Sequence, residues 1–504
     1  MSGWGAGYVT DIAYMPGYYR LQSPAILSLA CVLNSVAGLD AAADEPLCYL
    51  ELGCGLGYGA MALAAANPAW QVIGIDFNPA HVGAARAVAR EARLGNVRFL
   101  EADLASLAED PHATAIPEVD VVSLHGLWSW VPEAVRRGIL RLLRAKVRSG
   151  GIVHVSYNVL PAWQGALGMQ RVLREAGRRL ATRSDRQAQM GLQFAHALMQ
   201  AEAKQMKGSA FVAAMMEKLN GVPVQYLAHE YMNEAWNPCF HADVAADFAE
   251  AKLEWVGSAQ LIENFRQLTF TDAQRELLDR FDEPVMLELI KDMCLDRGLR
   301  QDVFVRGARR LNGAARNAAL GEVTLALTRL VENVQYEAAV PAGRASMEAP
   351  FYQPIAAALA ERPRRVRELL ELPELVGRRD NPAELIGLMV GTDQAMPVTL
   401  RPAAPDEAGT RFNRVAARQL AGTEMLNAGV GLACTRLGAV LAAPMLDLLV
   451  FGKLEAAAGR PDPDAWAAEF AAGRDDAERQ RMREFLGRIL EEKVPLWRRL
   501  GLLD

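Results

Sequence analysis

The sequence predicts an α/β fold, in which helices cover both faces of a mostly parallel sheet. Two observations predict it. Short apolar segments alternate with segments in which the apolar residues have the spacing of a helix, and glycines follow the first apolar segment directly. Strands joined by helices pair in parallel, and a glycine loop lets a strand turn sharply into a helix. The predicted strands are 47–52, 71–75, 97–100, 119–124 and 152–156, and the predicted helices are 24–36, 58–66, 79–94 and 132–147.

The sheet is expected to gain two further strands beyond a helical insertion. Residues 164–219 are rich in Met, Gln, Ala and Arg and are predicted to form one continuous helix. After a helix at 243–252, the segments 253–256 and 302–306 are predicted as an antiparallel sixth and seventh strand. These two strands bring the sheet to seven.

Beyond about residue 321 the chain is predicted to be mostly helical, with proline-rich breaks. Three short helices indicate a winged-helix-like module near 350–400: 354–360, 366–370 and 382–390. The apolar stretch 430–451 is interrupted by Arg436, Pro444 and Asp447, so we predict a buried helix pair there rather than a membrane span. Four regions are expected: a core with N-terminal helices (1–162), a helical insertion (163–222), a core-completing region (223–315) and a helical C-terminal domain (316–504).

Charge and cysteine content limit the expected partners. The 504-residue chain carries a formal net charge of −6 without a basic block, which disfavours a nucleic-acid partner. Its six cysteines form no C-x-x-C pair, so we expect free thiols and no metal site. No basic start followed by an apolar run opens the chain, and we therefore expect a cytoplasmic protein without a signal peptide.

A glycine loop follows the first predicted strand, in the segment YLELGCGLGYG (49–59). Gly53, Gly55 and Gly57 lack a Cβ, so a ligand can lie against the backbone N–H groups at the start of the next helix. The loop alone does not select one cofactor, because residues 55–60 also satisfy the G-x-G-x-x-A pattern of dinucleotide-binding folds.

Three carboxylates favour a different cofactor. Glu51 lies two residues before the first glycine, where an acid suits the amino group of a methionine moiety and would repel a pyrophosphate. Asp76 ends the second strand, where an acid can accept both ribose hydroxyls. Asp103 follows the third strand, where a side chain meets the adenine edge. This arrangement resembles the cofactor site of class I methyltransferases, and the expected cofactor is S-adenosylmethionine.

Neighbouring residues are assigned to the same cofactor site: Tyr14, Phe77, Asn78, Leu104 and His125. Tyr14, with Tyr18 and Tyr19, precedes the core, so these tyrosines either cover the cofactor or pack on the core. His125 ends the fourth strand, where it would hydrogen-bond the methionine end of the cofactor or accept a proton from the methyl acceptor.

Four local motifs carry a more specific resemblance: residues 14–24, HGLWSWV (125–131), SYNVLP (156–161) and YLAHEY (226–231). On these motifs the first 310 or so residues resemble bacterial methyltransferases with a methyltransferase regulatory domain, a group that includes rickettsial outer-membrane-protein lysine methyltransferases. The resemblance implies a Rossmann-like class I core, a helical insertion, a helical C-terminal part and methyl transfer to protein lysines. Ala162 departs from the pattern, because a glycine is expected there.

The acceptor side is expected at loops that leave the same sheet edge. The candidate residues are His125, Trp128, Tyr157 and Asn158. Trp128, Trp130 and Tyr157 would either line a substrate pocket or pack in the core. Asn158 would orient an amine or serve as a turn residue before Pro161. For His229, Glu230 and Tyr231, structural hydrogen bonding is favoured over acid–base chemistry or metal binding.

The leading interpretation is an enzyme that methylates lysine side chains of a bacterial surface or envelope protein. A protein substrate and a second copy of the chain are therefore the expected partners, and the insertion would serve as a substrate clamp or a dimer interface. Two alternatives stay open: a small-molecule or glycan methyltransferase, and a non-catalytic cofactor-binding regulator. The intact carboxylates and glycines argue against the non-catalytic alternative.

Overall fold

A seven-stranded sheet forms the centre of the protein. The computed structural model describes residues 7–12, 14–39, 46–110, 115–378, 381–399, 407–421, 426–457 and 460–503. The strand order is β3-β2-β1-β4-β5-β7-β6. The strands are β1 (Cys48–Leu52), β2 (Gln71–Asp76), β3 (Val97–Glu101), β4 (Val119–Leu124), β5 (Val147–Asn158), β6 (Leu253–Ser258) and β7 (Leu299–Arg306).

The seven-strand count is confirmed, but the predicted direction of one strand is wrong. β7 lies between β5 and β6 and pairs antiparallel with both. β6 therefore runs parallel to β1–β5, and β7 alone is antiparallel. The strand order reverses between β1 and β4, which is the position where open α/β sheets bind their ligands.

Helices cover both faces of the sheet, as predicted. Asn78 caps one of them by accepting a hydrogen bond from the N–H of Ala80, and Pro79 fits its first turn. The helices of the core are α1 (Pro24–Leu33), α2 (Tyr58–Ala66), α3 (Pro79–Glu91) and α4 (Glu133–Lys146).

The insertion is helical but is not one continuous helix, so that prediction is wrong. α5 and α6 pack backbone against backbone, since a Cβ on Gly177 would lie 2.3 Å from the carbonyl oxygen of Gln187, and one on Gly191 would lie 2.3 Å from that of Leu173. The chain must fold back on itself to make this contact, and Arg183 is extended at the break. The insertion helices are α5 (Leu167–Leu180), α6 (Ser184–Gln200), α7 (Lys204–Lys207) and α8 (Ala210–Leu219).

Six helices surround the last two strands of the central sheet or follow them. They are α9 (Val224–Tyr231), α10 (His241–Glu250), α11 (Arg266–Thr269), α12 (Asp272–Leu278), α13 (Pro284–Cys294) and α14 (Gly313–Gly321). Within the described part of the chain, none of the helices has the length and apolar character needed to cross a membrane.

The C-terminal region is largely helical, as predicted, but it also contains short strands. Near the predicted winged-helix-like module, β8 (Thr324–Leu327) pairs with β11 (Arg364–Arg365) and β12 (Ala395–Val398). The helices of this part of the chain are α15 (Ala349–Glu361), α16 (Val366–Leu370) and α17 (Pro382–Met389). The winged-helix assignment itself stays a prediction. A separate hairpin joins β9 (Glu337–Val340) to β10 (Gly343–Ser346).

The predicted buried helix pair at 430–451 is wrong. The segment forms a hairpin of β13 (Gly429–Cys434) and β14 (Ala439–Pro444), followed by the single helix α19 (Met445–Ala456). The hairpin braces the cofactor-binding half of the molecule, because the Tyr58 hydroxyl at the start of α2 donates to the carbonyl oxygen of Gly431 at 2.8 Å. The other C-terminal helices are α18 (Ala408–Gln419), α20 (Pro463–Phe470), α21 (Asp476–Arg488) and α22 (Val494–Leu500).

Candidate active site

A cavity of about 750 Å³ lies at the carboxyl ends of β1–β4, where the strand order reverses. Ten of the predicted site residues line it: Tyr14, Glu51, Gly53, Gly55, Gly57, Asp76, Phe77, Asp103, Leu104 and His125. Tyr8, Gln22 and His81 also line it and were not predicted, because no local motif marks them. Of the N-terminal tyrosines, Tyr14 and Tyr19 face this cavity, whereas Tyr18 packs against the hairpin of β13 and β14.

The glycine loop has the conformation that its composition predicts. Gly53, Gly55 and Gly57 all have positive φ values, of +71°, +54° and +70°, which residues with a Cβ adopt at an energetic cost. A Cβ on Gly57 would also lie 2.4 Å from the ring of Phe99. Above Gly55 the space is open, with Tyr14 at 3.8 Å from a Cβ built there. The loop therefore leaves room for a ligand at the N-terminus of α2.

Glu51 is a buried carboxylate with unused hydrogen-bonding capacity. One oxygen accepts a hydrogen bond of 3.3 Å from the side-chain amide of Gln22, and Oε2 is buried without a partner among the described residues. Burial raises the pKa of Glu51 to about 7. A buried, unpaired carboxylate oxygen is stabilised by a cation, and the ammonium group of a methionine moiety fits this requirement.

Because the pKa of Glu51 is close to 7, the affinity for S-adenosylmethionine should depend on pH. The cation binds the ionised carboxylate, so we expect the dissociation constant to be about tenfold higher at pH 6 than at pH 8. Isothermal titration calorimetry across this range measures the effect. Glu51→Gln should bind weakly and independently of pH, whereas Asp103→Asn should keep the wild-type dependence. A wild-type affinity that does not change with pH would contradict this role for Glu51.

Asp76 is held rigidly at the end of β2. Its Oδ2 accepts a hydrogen bond of 2.8 Å from the N–H of Gly55, and its Oδ1 accepts one of 2.9 Å from the N–H of Asn78. The carboxylate therefore ties the glycine loop to the next helix while facing the cavity. The predicted contact between Asn78 and the cofactor is not supported, because its side chain caps α3 and does not line the cavity.

His125 directly follows β4 and lines the cavity. The ring of Tyr19 stacks on it with 3.9 Å between centroids, and His154 lies behind it at 6.0 Å. Burial lowers the pKa of His125 to about 3, and the neighbouring His154 lowers it further. The imidazole is therefore neutral at pH 7 and is a poor proton acceptor, so hydrogen bonding is the role that fits this position.

Two predicted acceptor-side residues lie elsewhere. Trp128 is fully buried and packs edge-on against Phe248, with 5.0 Å between ring centroids. Tyr157 is also fully buried, and its hydroxyl donates to Asp302 and lies 3.2 Å from His241. Neither residue lines the cavity, and both pack in the core, which is the second of the two roles considered for them. Trp128 follows β4 as predicted, whereas Tyr157 lies within β5, which extends to Asn158.

Tyr157 belongs to a buried ionic network centred on Arg300. The guanidinium group of Arg300 contacts Glu288 at 2.7 Å, Asp292 at 2.8 Å and Asp302 at 3.1 Å. Burial by itself would raise the pKa of Asp302, but the charge of Arg300 outweighs this effect and holds the pKa well below its usual range. The network joins α13 to β7 and, through the hydrogen bond between Tyr157 and Asp302, to β5.

The fold and the site together define a class I methyltransferase whose cofactor is S-adenosylmethionine. The family model for a methyltransferase domain matches residues 50–151, and that for a predicted methyltransferase regulatory domain matches residues 223–306. An uncharacterized protein of Synechocystis is 32% identical over 366 residues, covering 73% of this chain and 71% of the relative. The chain belongs to the family of S-adenosylmethionine-dependent methyltransferases that carry this regulatory domain.

Rickettsial proteins extend the comparison. An uncharacterized protein of Rickettsia prowazekii is 27% identical over 165 residues, which cover 33% of this chain and 61% of the relative. The solved structure of PKMT2 from Rickettsia typhi in complex with AdoHcy superposes with a TM-score of 0.67, over 97% of this chain and 99% of that chain. Their sequence identity is 16%, so this likeness shows a shared fold across both chains.

Proposed function

We propose that the chain transfers the methyl group of S-adenosylmethionine to lysine side chains of a bacterial surface or envelope protein, in the cytoplasm before export. The observation that carries this proposal is an aromatic wall of the same cavity, formed by Tyr8, Tyr14, Tyr19 and Trp130. Tyr19 is 40% exposed, so the wall reaches the protein surface. A long side chain presented by another protein can therefore enter from outside.

The similarity to lysine methyltransferases supports the choice of acceptor. The motifs at 125–131, 156–161 and 226–231 resemble those of the rickettsial enzymes, and the fold matches that of PKMT2 over almost the whole of both chains. Exposed apolar side chains on the insertion, Leu180, Phe194 and Phe211, would be covered by a protein partner, either the substrate or a second copy of the chain.

The chemistry requires a neutral amine held in line with the methyl group. When bound, S-adenosylmethionine supplies an activated methyl group on a sulfonium. The protein must position the amine and exclude water, and the aromatic wall can serve both functions. It must also remove a proton, since a lysine with a pKa near 10.4 costs about 4.6 kcal/mol to deprotonate at pH 7.

Transfer of label identifies the acceptor class. The purified protein is incubated with methyl-labelled S-adenosylmethionine and a lysate of the host cells, which is then separated into proteins and small molecules. We expect label in protein and, after acid hydrolysis, in methylated lysine. A binding-deficient Asp76→Ala variant serves as the control for background labelling. Label confined to small molecules would support a small-molecule acceptor instead, and absence of label would support a non-catalytic role.

A further inference from the structure

A row of polar side chains crosses one face of the central sheet. Glu51 in β1 is paired with Ser123 in β4, and Ser123 is paired with His154 in β5. Gln301 in β7 lies two residues from Val303, the partner of His154. Paired residues of neighbouring strands, and residues two apart on one strand, lie on the same face of a sheet. The row therefore runs from the cofactor site into β7.

Hydrogen bonds join this row into a continuous chain. Gln22, which lies just before α1 and lines the cavity, donates from Nε2 to Oε1 of Glu51 at 3.3 Å and to Oγ of Ser123 at 3.0 Å. Oγ of Ser123 lies 3.0 Å from Nδ1 of His154, and Nε2 of His154 lies 3.3 Å from Oε1 of Gln301. Both Ser123 and His154 are fully buried, so water does not compete for these bonds.

His154 is neutral in this chain. Burial lowers the pKa of His154 to about 4, although its hydrogen bond with Gln301 and the charge of Asp302 act in the opposite direction. Its other titratable neighbour is the neutral His125, whose ring stacks on it with 6.0 Å between centroids. Between pH 6 and pH 8 the imidazole therefore carries one ring proton, on one of its two nitrogens.

The acceptor at the far end gives the chain a direction. The carbonyl oxygen of Gln301 can only accept, so the ring proton of His154 lies on Nε2 and Nδ1 is an acceptor. The hydroxyl of Ser123 must then donate to Nδ1 and accept from the amide of Gln22. The second hydrogen of that amide is donated to Glu51. The chain thus ends in a donor directed at the carboxylate.

The opposite direction of the chain would favour a protonated Glu51. If the ring proton of His154 were on Nδ1, it would be donated to Ser123, whose hydroxyl would then donate to the carbonyl oxygen of Gln22. That oxygen would face Glu51 and would repel the carboxylate, but it could accept a proton from the carboxylic acid. Only the ionised form of Glu51 binds an ammonium group well, so the direction of the chain bears on cofactor affinity.

Other groups around Glu51 do not favour its ionised form. Four acidic side chains act on it or respond to its charge: Asp76, Tyr19, Tyr49 and Cys54. Burial raises the pKa values of the two phenols and the thiol, so these groups stay neutral, and the charge of Asp76 raises the pKa of Glu51. Among the described lysines and arginines, none forms an ion pair with Glu51. The amide of Gln22 is therefore the side-chain group that favours the carboxylate.

We propose that Gln301, His154 and Ser123 are positioning residues that keep the N–H of Gln22 directed at Glu51 and thereby set the affinity for S-adenosylmethionine. None of these three residues lines the cavity, so they act through Gln22. Gln301 belongs to residues 223–306, which match the regulatory-domain model, and the chain connects this region to the cofactor site. The inference concerns the cofactor and does not depend on the identity of the methyl acceptor.

The pH dependence of S-adenosylmethionine binding tests the chain. Ser123→Ala and Gln301→Met each interrupt it outside the cavity, and calorimetric titrations compare them with wild-type protein between pH 6 and pH 8. Loss of the directed N–H should move the midpoint of the pH dependence upward, by about one pH unit in Ser123→Ala. This variant should then bind about tenfold more weakly than wild type at pH 6 but within about twofold of it at pH 8. Gln301→Met should change in the same direction, by at least about threefold at pH 6.

Gln267→Met provides the matched control, because Gln267 is exposed and lies in the same region of the chain. It should bind S-adenosylmethionine as wild type does at each pH. A role in packing alone would weaken binding equally at pH 6 and pH 8, and that result would overturn the inference. A wild-type pH dependence in Ser123→Ala or in Gln301→Met would overturn it as well. These titrations contain no methyl acceptor, so failure of the proposed function would show separately, in the labelling assay.

Discussion

Replacement of Arg300 by methionine is expected to lower the free energy of unfolding by about 3–5 kcal/mol. The variant keeps most of the side-chain volume but removes the common counter-ion of Glu288, Asp292 and Asp302. Arg300 is 1% exposed, so water cannot replace the lost contacts. Urea unfolding followed by intrinsic fluorescence measures the change. Because Asp302 also binds Tyr157 in β5, the variant should loosen the sheet next to Asn158 as well.

The loss of stability on replacing Arg300 should depend on pH, because Arg300 shifts the pKa values of the carboxyl groups around it. Burial alone would raise the pKa values of Glu288 and Asp302, but the charge of Arg300 holds both below their usual range. In wild-type protein these two groups therefore add stability above the unfolded-state pKa of about 4, and this stability is lost as the pH falls through their folded-state values. Without Arg300 the buried carboxyls bind protons more readily. The difference in the free energy of unfolding between variant and wild type should therefore become smaller as the pH falls from 8 to 5.

An exposed arginine provides the comparison. Arg310 pairs with Glu254, but the two side chains are 60% and 51% exposed. Arg310→Met should therefore cost no more than about 1 kcal/mol, as is usual for surface ion pairs. If Arg300→Met and Arg310→Met lowered the free energy of unfolding equally, the Arg300 network would contribute no more to stability than a surface ion pair.

The first half of the sheet could be predicted because its signals are local. β4 and α2 have the predicted bounds, and the cap formed by Asn78 and Pro79 marks the start of α3. Helical spacing alone did not show that the insertion folds back on itself, since the contact at Gly177 and Gly191 depends on tertiary packing. The hairpin in 429–444 was missed for a related reason: a continuous apolar run fits a buried strand as well as a buried helix.

The predicted residues that line the cavity are mostly those that the backbone itself places there. The glycine loop, Glu51 and Asp76 follow directly from the ends of β1 and β2. The acceptor side depends on side-chain direction, and consecutive residues of a strand point to opposite faces. Tyr157 accordingly points into the Arg300 network, whereas its neighbour Asn158 is buried near Ser129, whose hydroxyl accepts its main-chain N–H at 2.9 Å.

Replacement of Asp76 by alanine should weaken S-adenosylmethionine binding at least a hundredfold. Two charge-assisted hydrogen bonds to the ribose hydroxyls would be lost, each worth about 1.5–3 kcal/mol. The variant also releases the N–H groups of Gly55 and Asn78, which the carboxylate holds at 2.8 Å and 2.9 Å, so the glycine loop loses its anchor. Calorimetric titration measures the affinity, and circular dichroism shows whether the variant is folded.

Asp103 separates the effect of position from the effect of charge. It lines the same cavity and carries the same charge, but it is exposed, so water competes for its hydrogen bonds. Asp103→Ala should therefore raise the dissociation constant only severalfold. If the two variants lost affinity equally, general electrostatic attraction would explain the result. A folded Asp76→Ala variant with wild-type affinity would instead place the ribose away from β2, and the cofactor orientation deduced from Glu51 and Asp76 would have to be abandoned.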